Sequence, residues 1–356
     1  MTKTVADKTE KPTVNDIARV AGVSLATVDR VLNARPGVRR VTIDRVNAAI
    51  RELGYVRDTA AANLARRRIY NLLFILPETN NEFVTALEAE IAAQSERLSI
   101  ERTRLSTVKA PAFDPQELVR IIDTVDPAEF DGIAIFGPET PSVRDAARKV
   151  KEKGVAVVSL VSDLPSTSRD HFVGIDNVQA GKTAAQLIGR FAARDAGQIL
   201  VITGSRLARD HLERRHGFDE VMAEEFPSFE VLPSLEGRDD PDLLLDLLPA
   251  VFEKNHRICG IYSSAAGNGG LVQFLRAQGL DQKVIVVGHE LTPLSRDALT
   301  AGVFDAIISQ DTGHLVRSAV RLLRATADDA PFNPTQERIR IDIYLKENMP
   351  PARRIE

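Results

Sequence analysis

Residues 13–33 read TVNDIARVAGVSLATVDRVLN. Val14, Ile17, Ala18 and Ala21 recur at i, i+3, i+4, i+7, one apolar stripe of a short helix. Gly22 follows, where a left-handed residue that ends a helix is cheapest as glycine. Ser24 is a good N-cap for a second helix, which buries Val28, Val31 and Leu32 and turns Leu25, Ala26, Thr27, Asp29, Arg30 and Asn33 outward. After a Pro36-Gly37 turn, Val41 and Thr42 suit the start of a third helix. Val46, Ala49, Ile50 and Leu53 form its stripe, and it stops at Gly54. Three short helices with a tight glycine turn between the first two make a helix-turn-helix unit, whose second helix enters a DNA major groove.

This stretch resembles the DNA-binding headpiece of the lactose-repressor (LacI/GalR) family. It matches every fixed position of the family pattern except one, where Asp29 stands for the usual Ser. The resemblance implies that Thr13, Ser24, Leu25, Ala26, Thr27, Asp29, Arg30, Asn33 and Tyr55 face operator DNA. It also implies that residues 57–68 are a hinge helix ordered on the operator. In the family a paired leucine from two subunits wedges between minor-groove base steps. Leu64 occupies that position, and Ala61 the small position beside the groove floor. A helix of about ten residues is marginal alone, and apolar wedges are a known minor-groove device. Family members usually carry Pro where this chain has Arg57; an ordinary Ala-rich connector is the plainer reading of the segment.

Charge is unevenly spread. Residues 1–68 hold 14 Lys and Arg against 7 Asp and Glu, whereas the remainder holds 32 against 43. A basic amino-terminal segment on an acidic body fits a nucleic-acid head joined to something that does not bind nucleic acid. The chain has 356 residues, room for two or three domains. The single cysteine, Cys259, excludes an intramolecular disulfide, and its apolar neighbours mark it as a buried small hydrophobe. Residues 1–12 are charged and aperiodic and are expected to be a disordered arm. There is no signal peptide and no apolar run of membrane-spanning length, so a cytoplasmic location is expected.

Residues 69–77 form a continuous apolar run ending in proline, as a buried parallel strand does. Beyond it strands and helices alternate: strands near 100–105, 132–136 and 155–161, helices over 83–98, 116–125 and 142–153. The alternation restarts at Gly174-Ile175-Asp176-Asn177. Helices over 180–193, 213–226, 241–255, 269–278 and 313–325 then alternate with strands near 199–203, 230–232, 259–263, 284–287 and 306–309, with a last strand near 339–345. Two α/β series in tandem predict two doubly wound parallel-sheet lobes facing across a cleft, where ligands lie beyond the carboxyl ends of the strands.

This body resembles the periplasmic-binding-protein type I fold that serves as the effector domain of the same family. Its landmarks are Gly174-Ile175-Asp176-Asn177, Arg214-Arg215-His216-Gly217-Phe218, Gly288-His289-Glu290 and Ile308-Ser309-Gln310-Asp311. The expected organisation is an arm (1–12), a headpiece (13–56), a linker (57–68) and an effector and dimerisation domain (69–350). Lobe one takes about 69–165 and 308–328, lobe two about 173–298 and 335–350. Three crossings are placed near 162–175, 295–308 and 327–337.

By the resemblance Arg214 contacts the effector, with a surface arginine as the alternative. Glu290 ends a strand at the rim where the family carries Asp, and pairing with Arg296 is its alternative. Asn268, in the Gly-rich loop after the strand at 259–263, either reaches the ligand or caps a helix. Phe83 is either a ligand wall or core. Asp163 and Gln310 complete the candidates, Gln310 touching ligand or only holding a crossing. The glycines do not complete a dinucleotide motif, the six histidines lack metal-ligand spacing, and no catalytic motif appears. The reading is therefore not an enzyme, with no cofactor and no metal. It is a homodimeric transcriptional regulator, in the first instance a repressor, that reads a pseudo-palindromic operator and responds to a sugar or polyol. An activator or dual regulator answering an acidic metabolite, and a transporter's solute-binding protein, stay as alternatives. The chain has no tryptophan, which leaves a thin aromatic platform for a sugar ring.

Overall fold

A computed structural model describes residues 12–32, 36–55, 68–192 and 196–351. The candidates Asn33, Ala61 and Leu64, and the linker residue Arg57, lie outside these. The chain divides into two compact units, 1–68 and 69–356.

In the first unit α1 (Val14–Ala21), α2 (Leu25–Leu32) and α3 (Arg40–Leu53) enclose a small core of Ile17, Ala21, Val28, Val46 and Ala49. Gly22 is left-handed (φ 61°), and Val23 N donates back to Ala18 O at 3.1 Å, closing the turn. Arg45 of α3 seals the same corner by donating to the carbonyls of Ala21 and Gly22. Ser24 Oγ accepts from Thr27 N at 3.2 Å, the N-cap of α2. The stripe is narrower than its spacing implies: Val14 is exposed, and Val31 and Leu32 are only partly buried. A helix of eight residues in so small a core cannot cover every apolar position on its inner side.

The second unit holds two sheets. The first has the order β2-β1-β3-β4-β5, all parallel: β1 (Tyr70–Glu78), β2 (Thr103–Pro111), β3 (Gly132–Ile135), β4 (Ala156–Leu160) and β5 (His171–Val173). Helices α4 (Glu82–Ser99), α5 (Pro115–Asp123) and α6 (Pro141–Glu152) connect its first four strands. The second sheet has the order β12-β11-β10-β9-β6-β7, with β8 also paired to β6. Its strands are β6 (Gly197–Thr203), β7 (Phe229–Val231), β8 (Leu235–Glu236), β9 (Ile258–Ser263), β10 (Ile285–His289), β11 (Ala306–Ser309) and β12 (Asp342–Tyr344). Its helices are α7 (Asn177–Phe191), α8 (Arg209–Glu225), α9 (Pro241–Lys254), α10 (Asn268–Ala277) and α11 (Pro293–Thr300). A last helix, α12 (Thr312–Ala327), leaves the second sheet and packs on the first, against α4, β3 and β4.

The crossings differ in detail from those read off the sequence. β5 still belongs to the first sheet, so the chain crosses between Val173 and Asn177. The second crossing is not at 295–308 but at Gln310 and Asp311. Ala306–Ser309 pairs with β10 and belongs to lobe two, and α11 fills 293–300. The third return ends in β12, which runs antiparallel to β11. The first strand pair also shifts, β2 running over 103–111 rather than 100–105. One apolar cluster runs through both lobes, from Phe74 and Leu160 to Tyr262 and Ile308, which makes the lobes one unit around their junction. Cys259 is buried in it.

Candidate functional site

The outward side of α2 is formed by residues one and four positions apart. Leu25 is 50% exposed, and Ser24, Ala26, Asp29 and Arg30 are exposed beside it, with Thr27 partly so. Val28 points the other way, into the core. An exposed leucine at the amino-terminal end of a helix whose other side is packed is a surface available for contact. Thr13 is exposed, but its amide and hydroxyl both donate to Asp16, at 2.9 and 2.8 Å. Arg19 first, then Thr13, hold the Asp16 carboxyl down to about 2. Tyr55 is half-buried against the headpiece core, its N donating to Ile50 O.

In the second unit a polar cluster lies where strands of lobe two end against lobe one. Arg214, on α8, is its centre and is only 4% exposed, which excludes the surface reading. Its Nε donates to Asn177 Oδ1 at 2.9 Å and its Nη1 to Ser264 O at 2.8 Å, while Nη2 lies 3.8 Å from Asp210 Oδ2. Asn177, at the first crossing, also donates from Nδ2 to Val161 O at the end of β4. The arginine is thus fixed to residues 37 and 50 positions away along the chain.

The close approach of α7 and α8 has a backbone cause. A Cβ on Gly217 would stand 2.0 Å from Val178 O, and one on Gly181 would stand 1.9 Å from Arg214 O. Only glycine at both places lets the helices meet there.

Glu290 follows β10 in a left-handed conformation (φ 65°), a strained state for a side chain other than glycine. Its carboxylate accepts from Gln310 Nε2 at 2.8 Å, Gln310 N at 3.3 Å and Ser309 Oγ at 3.4 Å, and its partner is therefore Gln310 rather than Arg296. Burial pushes the Glu290 carboxyl up, against Arg214 and these donors. Asn268 Oδ1 accepts from Ser263 Oγ at 2.7 Å; it is the first residue of α10, and Gly267 holds the cap position. Asp163 is engaged by Arg169, Nη2 to Oδ2 at 2.7 Å, and by Ser159. Phe83 is buried in the lobe core, edge-on to Phe136 at 6.5 Å.

Five residues that the sequence does not mark as effector contacts are buried near Arg214: Asp210, His211 and Tyr262, with Asn177 and His289 from the landmark stretches. His289 Nε2 shares a hydrogen bond of 2.8 Å with the Tyr262 hydroxyl. Burial, with Arg214 and His211 nearby, holds the His289 ring well below its ordinary range, so the ring is neutral. Three buried polar atoms of this cluster have no protein partner: Asp210 Oδ1, His289 Nδ1 and Gln310 Oε1. Buried polar groups are normally satisfied, and such a concentration calls for a polar molecule, one that donates to the Asp210 and Gln310 oxygens. Hydrogen bonds between the lobes include, besides Asn177 Nδ2 to Val161 O, Glu139 N to Leu207 O, Asp210 N to Ser162 Oγ and Leu294 N to Glu82 Oε2, all at 3.3 to 3.4 Å. Among the described residues no group of His, Cys, Asp or Glu is placed to hold a metal, and no helix is long and apolar enough to cross a membrane.

Comparison with known proteins agrees with both units. Residues 13–58 match the model of bacterial regulatory proteins of the lacI family, and residues 72–330 match that of the periplasmic binding protein domain. Curated relatives include the HTH-type transcriptional regulator DegA of Bacillus subtilis, 26% identical over 215 residues, covering 60% of this chain and 61% of the relative. The HTH-type transcriptional regulator GntR of Pseudomonas aeruginosa is 29% identical over 219 residues, covering 60% and 59%. The chain thus spans about 60% of the length of the curated relatives it matches. Among solved structures, the glucose-galactose binding protein GanP of Geobacillus stearothermophilus superposes with a TM-score of 0.71 at 19% identity, over 80% of this chain and 99% of that one. A solute binding protein of Burkholderia graminis in complex with D-arabinose gives 0.71 at 21%, over 79% and 96%. These last two show the fold.

Proposed function

Since the chain belongs to the periplasmic binding protein domain family and carries a lacI-type regulatory headpiece ahead of that domain, we propose that it is a sequence-specific DNA-binding transcriptional regulator, a repressor, controlled by a small sugar or polyol between its lobes. The observation that carries this is the buried cluster around Arg214, with its unpartnered polar atoms, in the same chain as a helix whose exposed face suits a major groove. The DNA-facing residues are Thr13, Ser24, Leu25, Ala26, Thr27, Asp29, Arg30, Asn33 and Tyr55, with Ala61 and Leu64 acting from the linker. The effector is held by Arg214, Asn268, Glu290 and Gln310 in lobe two, with Phe83 and Asp163 on the side of lobe one.

The chain acts in the cytoplasm as a homodimer on a pseudo-palindromic operator, because two headpieces read two half-sites. Effector binding favours the lobe arrangement in which both lobes contact it. Only such a difference in contacts can shift operator affinity. GanP and the arabinose complex are named for sugars, which favours a sugar here over an acid. Selection of bound sequences from a random DNA pool tests the reading. The expected product is a two-half-site sequence bound with a steep negative slope of log K against log salt. No enrichment, or a flat plot, would refute it.

A further inference from the structure

Asp210 stands in the first turn of α8, 4% exposed, and its backbone N–H donates to Ser162 Oγ across the lobe junction. Its Oδ2 is 3.6 Å from His211 Nε2 and 3.8 Å from Arg214 Nη2, both too long for hydrogen bonds. Its Oδ1 has no partner. A buried carboxylate oxygen left in this way is costly unless something brings it a hydrogen. Gln310 Oε1, also buried and unpartnered, has the same need, since Gln310 Nε2 is used on Glu290. Neither oxygen can donate, and a ligand carboxylate at neutral pH has no proton to give.

The charges point the same way. Arg214 is the cation of the cluster, and two of its nitrogens already serve Asn177 and Ser264. Asp210 stands beside it, Oδ2 3.8 Å from Nη2. Asp163 is neutralised by Arg169. The Asp210 carboxylate beside this guanidinium already balances its charge, which disfavours an anionic guest.

We propose that Asp210 is the specificity-determining residue of the cleft: it accepts a hydroxyl or ammonium hydrogen of the effector and shuts out effectors that carry a carboxylate. This rests on the reading that the cleft holds a small polar effector, and it narrows the charge and donor pattern of that molecule.

The test uses the full chain in thermal-shift and calorimetric titrations with D-glucose, D-galactose, D-ribose, D-glucitol, D-glucosamine, D-gluconate and D-glucuronate. At least one neutral or ammonium-bearing compound should bind, and each carboxylate should bind at least about ten-fold more weakly than its neutral match, a difference of ~1.4 kcal/mol. Glucosamine against glucose separates an ammonium donor from a hydroxyl. Asp210→Asn, and Asp210→Ser should the first fail to fold, should weaken the neutral compound and raise the carboxylate-to-neutral affinity ratio by about ten-fold. A purely structural Asp210 would lower all affinities together and leave that ratio fixed, which would overturn the assignment, as would a parent protein preferring a carboxylate. Binding of none of the compounds would instead remove the underlying sugar-or-polyol reading and this assignment with it.

Discussion

Gly217→Ala tests whether the packing of α7 on α8 sets the position of Arg214. The added Cβ would lie 2.0 Å from Val178 O and 3.2 Å from Lys182 N. An ordinary carbon–oxygen contact needs roughly 3.3 Å, so the helices must part by about 1.3 Å. Both sides of the contact are backbone, and no side chain can rotate to absorb the strain. Overpacking typically costs ~1–3 kcal/mol, and this case belongs at the upper end. At roughly 2–4 °C per kcal/mol for a domain of about this size, the melting temperature should fall by about 6 °C or more. The same movement carries Arg214, one turn earlier on α8, away from Asn177 Oδ1 on α7. Effector affinity should therefore fall together with stability. Gly269→Ala is the control: its Cβ would meet nothing closer than 3.5 Å, and alanine favours a helix. Differential scanning calorimetry of the three proteins decides. A Gly217→Ala variant melting within about 2 °C of the control would refute the close-approach argument.

Glu290→Gln should change the pH dependence of stability. Burial raises the folded-state pKa of Glu290 above its unfolded value, so the folded state binds more protons in between and stability falls as pH rises through that window. The variant should lose this downward slope above pH ~4.5 in urea-unfolding series, and an unchanged slope would contradict it. His289 acts with the opposite sign, its stability contribution being lost as pH falls below its ordinary range, and it is common to both proteins. Asp29→Ser should alter the half-site chosen from a random DNA pool while keeping or raising non-specific binding. A carboxylate can accept from a cytosine amino group but is repelled by phosphate. The same preferred site from both proteins would make Asp29 a tolerated surface residue. Leu64→Ala should reduce DNA bending in a permuted-fragment gel assay and leave effector affinity intact, and equal bending would contradict the wedge.

The headpiece was legible because its determinants are local. Gly22, the Ser24 cap and Val28 each act within a few residues of where they stand. The order of strands and helices was legible for the same reason, since β1, β3, β4 and β9 are mostly apolar and almost wholly buried. What escaped depends on distant approach. Ala306–Ser309 reads as a strand, but nothing within it says that it pairs with β10 and so belongs to lobe two. β2 has a mostly exposed edge pattern, so hydrophobicity did not mark its start. In the site, Arg214 was visible through its spacing to Gly217, whereas Asn177 and Ser264 become its partners only once α7, α8 and β9 meet. Asp210 left one sequence trace, its four-residue spacing to Arg214 on a helix, and His289 another, its place between Gly288 and Glu290 at a strand end.

The most direct measurement is fluorescence-anisotropy titration of a DNA site obtained by selection, with and without a compound that stabilises the protein in the thermal-shift panel. It is to be run on the parent and on Arg214→Ala. The account predicts that the compound changes the parent's DNA affinity by about ten-fold or more, within the usual range of allosteric coupling. Arg214→Ala should bind the same DNA with nearly parental affinity and show no change on adding the compound. A parent whose DNA affinity is indifferent to a compound that it binds, or an Arg214→Ala variant that responds as the parent does, would contradict the claim that the cleft around Arg214 controls the headpiece.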